Sequence, residues 1–493
     1  MDFVKNRKVI FFAVFLLFIV FGVALFLNQT SENNNQNGKN GINIDNGDTK
    51  INWSKYSTTD ISLKESINIT ESGVYNLTGE IEDGSVIIDV GDTNGVVKLV
   101  LSGVSVNSEN GPAIYIKSAD DVIIETKEGT RNYLISGSSF GDFGEETVDG
   151  TIYSKGDLTF SGDGYLYVES NYQDAIVSKD DLTIRSGEIS VSSVDDGIRG
   201  KDSVNISGGK IGIKAKQDGI KSTNDEDKTK GFIYIEDGEI TISVADDGIH
   251  ATTSLVIDGG KIDVQKSYEG LEGAKIVVNG GDISIIANDD GMNVAGGNDE
   301  SAFMRPGSES FSENVEYTLV INGGSVYVDS TGDGLDSNGT IYINGGDVVV
   351  DGPINSANGA LDSEKGIYFN GGSVVAVGAS GMAENFNDSS SSFGASIFLD
   401  TSYAKDTKIS VVDENDNVIV SHLSTKSFSH INIGSEKFEF GKTYTIYIND
   451  EEYESFTISS IVTSIGNSNI GPQGGGMQPQ GGGMTPQGGP RGF

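Results

Sequence analysis

The chain has 493 residues, with 72 Asp and Glu against 33 Lys and Arg, a formal net charge of −39, 67 Gly, 7 Pro and no Cys. Charge of that sign repels phosphates, which argues against nucleic acid as a partner and leaves cations, cationic surfaces and neutral polymers. Without cysteine, disulfides and cysteine-based zinc or iron–sulfur sites are excluded.

Residues 1–27 read as a membrane anchor or signal segment. Lys5, Arg7 and Lys8 precede an uncharged apolar run from Val9 to Leu27. At ~1.5 Å per residue such a run comes close to spanning a hydrocarbon core of ~30 Å. The basic flank predicts that the N-terminus stays inside and the remainder lies outside, and a cleaved signal peptide is the other reading. Either one makes the bulk of the protein extracellular: at the cell surface if anchored, secreted if cleaved. Residues 28–52 are rich in Asn, Gly, Asp and Ser and read as a linker.

From 53 to 380 the chain is built on a repeat. After a segment expected to cap the first turn, each unit carries a short strand such as Leu182-Thr183-Ile184 or Val204-Asn205-Ile206. A glycine turn such as Gly208-Gly209 follows, then a second alternating strand such as Ile211-Gly212-Ile213, and last an acidic turn. That turn begins at Gln173-Asp174-Ala175-Ile176 and returns around Asp196, Asp218, Asp247, Glu269, Asp290 and Asp333, at intervals of 21 or 22 residues apart from one of 29 and one of 43. Strands of three to five residues with apolar positions at period two, closed by turns every ~22 residues, predict a parallel β-helix. An α-solenoid would need apolar residues at 3, 4 and 7. Two excursions, Thr223–Lys230 and Gly297–Tyr317, account for the long intervals, and a third, Ser138–Asp149, precedes the regular coils. Loops on a rigid solenoid carry specificity more often than its coils do.

Near Ala379 the repeat stops. Residues 395–463 show ordinary alternating strands with a hairpin turn at Asp416-Asn417, predicting a small antiparallel β module. Residues 464–493, rich in Gly, Gln and Pro, read as a disordered tail.

The plain account of the acidic turn is architectural, because Asp-Gly is a turn dipeptide. Stacking changes the balance. Equivalent positions of a parallel β-helix lie ~4.8 Å apart, and two carboxylates at that distance repel by about 3.5 kcal/mol at an effective dielectric near 20. Three residues after the turn acids, at positions expected to point outward, stand Arg199, Lys221, His250, Glu272, Asn293 and Asp336. The early coils therefore pair acid with base, which predicts a self-neutralised row at Asp196 with Arg199 and Asp218 with Lys221. From Glu269 to Asp362 no internal cation is expected. Carboxylate and amide oxygens without His or Cys suit Ca²⁺, which takes six to eight oxygens. The candidate metal ligands are Asp174, Asp196, Asp218, Asp247, Asp290, Asp333, Asp336 and Asp362. His250, the sole histidine of the repeats, reads as exposed and inert. Phe303 and Arg305 in the longest excursion are candidates for stacking on sugar rings or holding a uronate, as is packing over the coil. No Ser-His-Asp or Cys-His arrangement is seen, and the glycine pairs are turns rather than phosphate loops.

The ordered set Ile152-Tyr153-Ser154-Lys155-Gly156-Asp157, Asp174-Ala175-Ile176-Val177-Ser178-Lys179-Asp180-Asp181, Asp196-Gly197-Ile198-Arg199-Gly200-Lys201-Asp202 and Asp333-Gly334-Leu335-Asp336-Ser337-Asn338-Gly339 resembles the carbohydrate-binding domain-containing family of bacterial and archaeal surface proteins. The resemblance implies an all-β, right-handed parallel β-helix similar to pectate lyases, with a small C-terminal antiparallel β module here. It also implies binding of Ca²⁺ and of acidic polysaccharide such as polygalacturonate, and of cellulose, without lyase activity. The expected function is a surface-anchored, calcium-dependent polysaccharide-binding protein, monomeric, with Arg199, Lys221 and Arg305 assisting at the sugar. A polysaccharide lyase or hydrolase, or a structural adhesin stalk, are the alternatives.

Overall fold

The computed structural model describes residues 51–91, 95–144, 147–224, 226–295 and 316–466. The expected segments at 1–27 and 464–493 thus lie outside, or almost wholly outside, the described residues. Among those that are described, no helix is long and apolar enough to cross a membrane.

The repeat folds as the expected parallel β-helix, with three strands to a coil. The first sheet stacks Asp174–Ser178 on Ile198–Gly200 and Ile220–Ser222. A second stacks Asp181–Ile184 on Ser203–Ile206 and Phe232–Ile235. A third stacks Glu188–Ser192 on Lys210–Lys214 and Glu239–Ser243. All these pairings are parallel. The segment expected as a cap is the opening coil itself, since Thr58–Leu63 pairs parallel with Gly73–Ile81 and Ile67–Ile69 with Val86–Asp89.

The core is a set of aliphatic columns running along the axis. Ile176, Ile198, Ile220, Ile249, Leu271 and Met292 follow one another in register, each with no exposed surface. Each such side chain contributes about 1.5–3 kcal/mol by leaving water, and a β-branched residue suits the pleated wall it lines. A polar column runs parallel to it at the glycine turns. Asn322 donates to Asn279 at 2.8 Å, Asn344 to Asn322 at 2.9 Å and Asn370 to Asn344 at 2.9 Å, a ladder that begins on Asp258 and ends at Ser391. Stacked amides satisfy one another only when identical residues lie in register.

The region 395–463 is antiparallel except where Val462–Ile465 pairs parallel with Gly394–Tyr403, and its strands divide between two sheets. Phe428–Ser435 pairs antiparallel with Ser373–Gly378 at the end of the third sheet, and Gly394–Tyr403 and Val462–Ile465 add to it. Only Lys408–Val412, Val418–Leu423, Thr443–Ile448 and Glu451–Thr457 form a separate four-stranded sheet, with Asp416 at φ 62° in its hairpin turn. This region clamps the side of the coils through Asp351. That fully buried carboxylate receives His422 Nε2 at 2.8 Å, Ser424 Oγ at 3.1 Å and Thr425 Oγ1 at 2.9 Å.

The turn glycines stack as tightly as the strands. At Gly324 φ is +89° and an added Cβ would lie 2.7 Å from the carbonyl oxygen of Gly281 in the coil before. Gly212, in the middle of a strand, has nothing within 4 Å of such an atom. Gly324→Ala is therefore expected to lower unfolding stability by about 1–3 kcal/mol. Gly212→Ala should stay within about 0.5 kcal/mol. Urea denaturation of the two variants checks the contrast.

Candidate functional site

Along the outer face of the first sheet, one residue per coil forms a column that changes character from end to end. It runs Tyr115, Tyr153, Val177, Arg199, Lys221, His250, Glu272, Asn293, Asp336 and Asp362, paired in that register. The column is aromatic first, then cationic, then acidic. Its aromatic start is covered by the excursion expected at Ser138–Asp149, whose Phe143 meets Tyr115 edge-on at 5.5 Å between ring centroids.

The turn acids flank this column, and they are buried rather than exposed. Asp174, Asp196, Asp218, Asp247 and Glu269 are all buried. One oxygen of each of several acids accepts the backbone N–H of the corresponding acid one coil on. Asp196 N donates to Asp174 Oδ1 at 3.1 Å, Asp218 N to Asp196 Oδ1 at 3.2 Å, Asp247 N to Asp218 Oδ1 at 3.0 Å and Asp333 N to Asp290 Oδ1 at 2.6 Å. At the turn the backbone leaves the sheet ladder, and a carboxylate from the previous coil supplies the acceptor that a buried N–H requires.

The second oxygen meets the column. Arg199 lies 2.5 Å from Asp174 and 2.6 Å from Asp149 of the covering excursion. Lys221 lies 2.6 Å from Asp218 and 3.4 Å from Asp196. His250 Nδ1 lies 2.7 Å from Glu272, 3.0 Å from Asp247 and 3.8 Å from Asp218. The reading of His250 as exposed and inert is corrected: its side chain is 13 % exposed and gathers three carboxylates. Glu272, expected to lack a counter-charge, has one in His250. Arg199 and Lys221, expected at the sugar, have their cationic ends on turn acids and are only 22 % and 26 % exposed. Phe303 and Arg305 lie outside the described residues.

Burial and charge act oppositely here. Burial works to lower the His250 pKa, but its hydrogen bonds to Asp247 and Glu272 and the nearby charges outweigh that and hold it well above the ordinary value. Lys221 is likewise raised, with desolvation overcome by Asp218 and Asp196. Burial pushes Asp174 up to about 7 despite Arg199, and Asp247 up to about 6 despite His250.

Beyond Glu272 the pattern changes. Asn293 donates to Glu269 at 2.9 Å, and then Asp333, Asp336 and Asp362 each bring a carboxylate oxygen to within 4.8 Å of the others. Burial, then Asp333 and Asp289, raise Asp290 to about 8, and burial with Asp362 raises Asp333 to about 6. Glu384 joins them: burial, then the charge of Asp362, pushes it up to about 7, and it accepts Ser363 N at 3.2 Å. Sequence reasoning missed Glu384 because the glycine and strand signals had ended, although it stands 22 residues after Asp362, one period on. Of the predicted metal ligands, Asp174, Asp196, Asp218 and Asp247 belong to the charge-paired stretch. Asp290, Asp333, Asp336 and Asp362 come together at the acidic end. A further acidic corner, Asp157, Asp180 and Asp181, lies at the start of the second sheet.

The fold and column define a solenoid with a charge-graded outer face, and comparison with known proteins places it more closely. Residues 64–300 match the family model described as carbohydrate-binding domain-containing protein. A protein of Acetivibrio thermocellus with the same description is 37% identical over 146 residues, which is 29% of this chain and 50% of that protein. The chain thus spans about half the length of the curated relative it matches. A solved structure titled as the polysaccharide lyase-like protein from C. thermocellum, a gadolinium derivative, is 31% identical and covers 46% of this chain and 92% of its own, with a TM-score of 0.40.

Removing one cation from the column leaves a buried charge unpaired, so Lys221→Met is expected to cost about 3–5 kcal/mol, with much of it restored by adding Asp218→Asn. Urea unfolding of the single and double variants measures both. His250 titrates higher folded than unfolded, so its contribution is complete below the unfolded value, near ~6.5, and is lost as pH rises through the folded one. In chelator, wild-type stability should fall along that alkaline limb, and His250→Gln should flatten the fall.

Proposed function

We propose that this is an exported, calcium-dependent carbohydrate-binding protein, held at the cell surface by residues 9–27, which binds acidic polysaccharide without cleaving it. The family match over residues 64–300 supports the carbohydrate partner. The observation that carries calcium is the acidic end of the column, where Asp333, Asp336 and Asp362 converge and the charged neighbours that most affect Asp333 and Glu384 are other carboxylates. The donor set fits the ion: all hard oxygens, with no histidine or thiol in the trio, suit Ca²⁺ better than a transition metal.

Asp333, Asp336 and Asp362 would hold the ion, with Asp290 and Glu384 beside them. Bound there, Ca²⁺ supplies a positive centre to which a uronate carboxylate can add as a further ligand. The chain's own part is to keep these acids fixed at strand spacing on a rigid face. Arg199 and Lys221 serve this reading by neutralising the coils that precede the site, while their partial exposure leaves the sugar contact to the acidic end.

A cation competes with protons for Asp333, Glu384 and Asp290, which are raised to about 6, 7 and 8. Raised acids contribute stability that is complete below their unfolded values and is lost as pH rises through the folded ones. The calcium-free protein should therefore lose stability between about pH 4 and 8, and calcium should stabilise it most at the upper end. Calorimetric titration should show calcium affinity rising with pH over this range and lost in Asp333→Asn/Asp362→Asn. Pull-down on polygalacturonate should fail in chelator. Retention unaffected by chelator would sink the calcium reading, and ultraviolet absorbance from unsaturated product would sink the non-catalytic one.

A further inference from the structure

His250 differs in kind from the two cations that precede it in the outer column of the first sheet. Arg199 and Lys221 bring charges that persist at any physiological pH. An imidazole is a cation only while both ring nitrogens hold a proton, and without the second proton it is a metal ligand. Its Nδ1 lies among acids: Glu272 at 2.7 Å, Asp247 at 3.0 Å and, farther off, Asp218 at 3.8 Å. These acids come from three neighbouring coils. Asp218, from the coil before, belongs first to Lys221, which lies 2.6 Å from it and 3.4 Å from Asp196. Asp246 and Asp247 share the coil of His250, and the half-buried Asp246 feels the charges of both His250 and Lys221. Glu269 and Glu272 come from the coil after, and each brings a carboxylate oxygen to within 4.8 Å of one on Asp247. Asp247 and Glu272 also hydrogen-bond each other, a bond that needs a proton on one of the two carboxyls.

We propose that His250, Asp247 and Glu272, with Glu269 as fourth ligand, form a site for a transition-metal dication, Zn²⁺. Three observations carry it. The first is the donor set, because an imidazole nitrogen among carboxylates suits zinc, whereas calcium takes oxygen alone. The second is spacing. Two ligands ~2.1 Å from a tetrahedral ion lie roughly 3.4 Å apart, against the 2.7 and 3.0 Å found at Nδ1. The acids therefore need to give by less than about 1 Å to seat the ion. The third is seclusion: side-chain exposure is 13% at His250, 11% at Asp247 and 3% at Glu272. Little water competes there, and the imidazole edge is the way in.

Outer contacts hold the ligands in place. Asn293 donates to Glu269 at 2.9 Å from the next coil, and Lys221 keeps Asp218 turned to itself. As the dication enters, the Nδ1 proton and the proton shared by Asp247 and Glu272 leave to solvent, so the local charge is unchanged. The ion ties the coil of His250 to the coil of Glu272, where the charge of the imidazolium alone now joins them. This site differs from the acidic end in both ion and place. Asp336 stands three strand spacings beyond His250 in the register, roughly 14 Å away, and the acids around it include no nitrogen ligand.

The test uses the full chain, expressed without a histidine tag, stripped with chelator and titrated calorimetrically with zinc chloride alone. Wild type should take up a single zinc ion and keep it in an equal concentration of calcium. His250→Gln and Glu272→Gln should each weaken zinc binding by about a hundredfold or more, whereas Asp333→Asn/Asp362→Asn should leave it unchanged. An anomalous difference map collected at the zinc edge should place the ion ~2.1 Å from His250 Nδ1, a readout that does not depend on any variant folding. Zinc held equally well by His250→Gln overturns the proposal, as does displacement of zinc by equimolar calcium. So does an anomalous peak at His422, which lies 2.8 Å from Asp351, in place of one at His250. Wild-type binding that appears only at millimolar zinc overturns it too.

Discussion

Every residue of a parallel β-helix has its counterpart ~4.8 Å above and below it, and that one spacing governs the rest of the molecule. Like stacks on like, which favours isoleucine on isoleucine in the core and amide on amide in the asparagine ladder. It penalises carboxylate on carboxylate. Most of the turn carboxylates cap the turn of the coil that follows, and the resulting repulsion has to be met by something positive beside them. Arg199, Lys221 and His250 meet it in successive coils. After Glu272 the column holds no further cation among the described residues, and Asn293, Asp336 and Asp362 follow in register.

Much of this was readable in the residues. The period gave the coils, the alternation gave the strands, and the offset of three located the column that the pairing register then joined, from Arg199 to Asp362. The burial of the turn acids was not readable. Alternation assigns a face to each residue within a strand, but at a corner the chain leaves the sheet, and whether a side chain turns in or out depends on the neighbouring coil. The bond from Asp196 N to Asp174 Oδ1 joins residues 22 apart in sequence and has no local signature. The same blindness made His250 look idle, since its three acids come from three coils. Glu384 was within reach, as a position one period past Asp362, but it stands where the apolar pattern had already faded. The strands that close the last coil were read as a separate module because antiparallel alternation looks the same whether it pairs with itself or with Ser373–Gly378.

The outer faces of the first and third sheets differ in how they handle charge. On the first sheet charges of opposite sign are segregated along the axis, cations in the middle and acids at the end. On the third they alternate from coil to coil, Glu188 against Lys210 and Lys210 against Glu239. Segregation builds a field that concentrates ions, whereas alternation cancels within one strand spacing.

The bonds between coils, from strand ladders to asparagine rungs to carboxylate caps, all point along the helix axis. Tension applied from Thr58 to Ile465 is therefore borne coil by coil, as in a column of stacked rings, and the stack parts first at the joint with the least cohesion. Repulsion among the carboxylates of Asp333, Asp336 and Asp362, close to the C-terminal end, lowers that cohesion. A cation bound there would act as a rivet and would set how hard the molecule can be pulled before it opens.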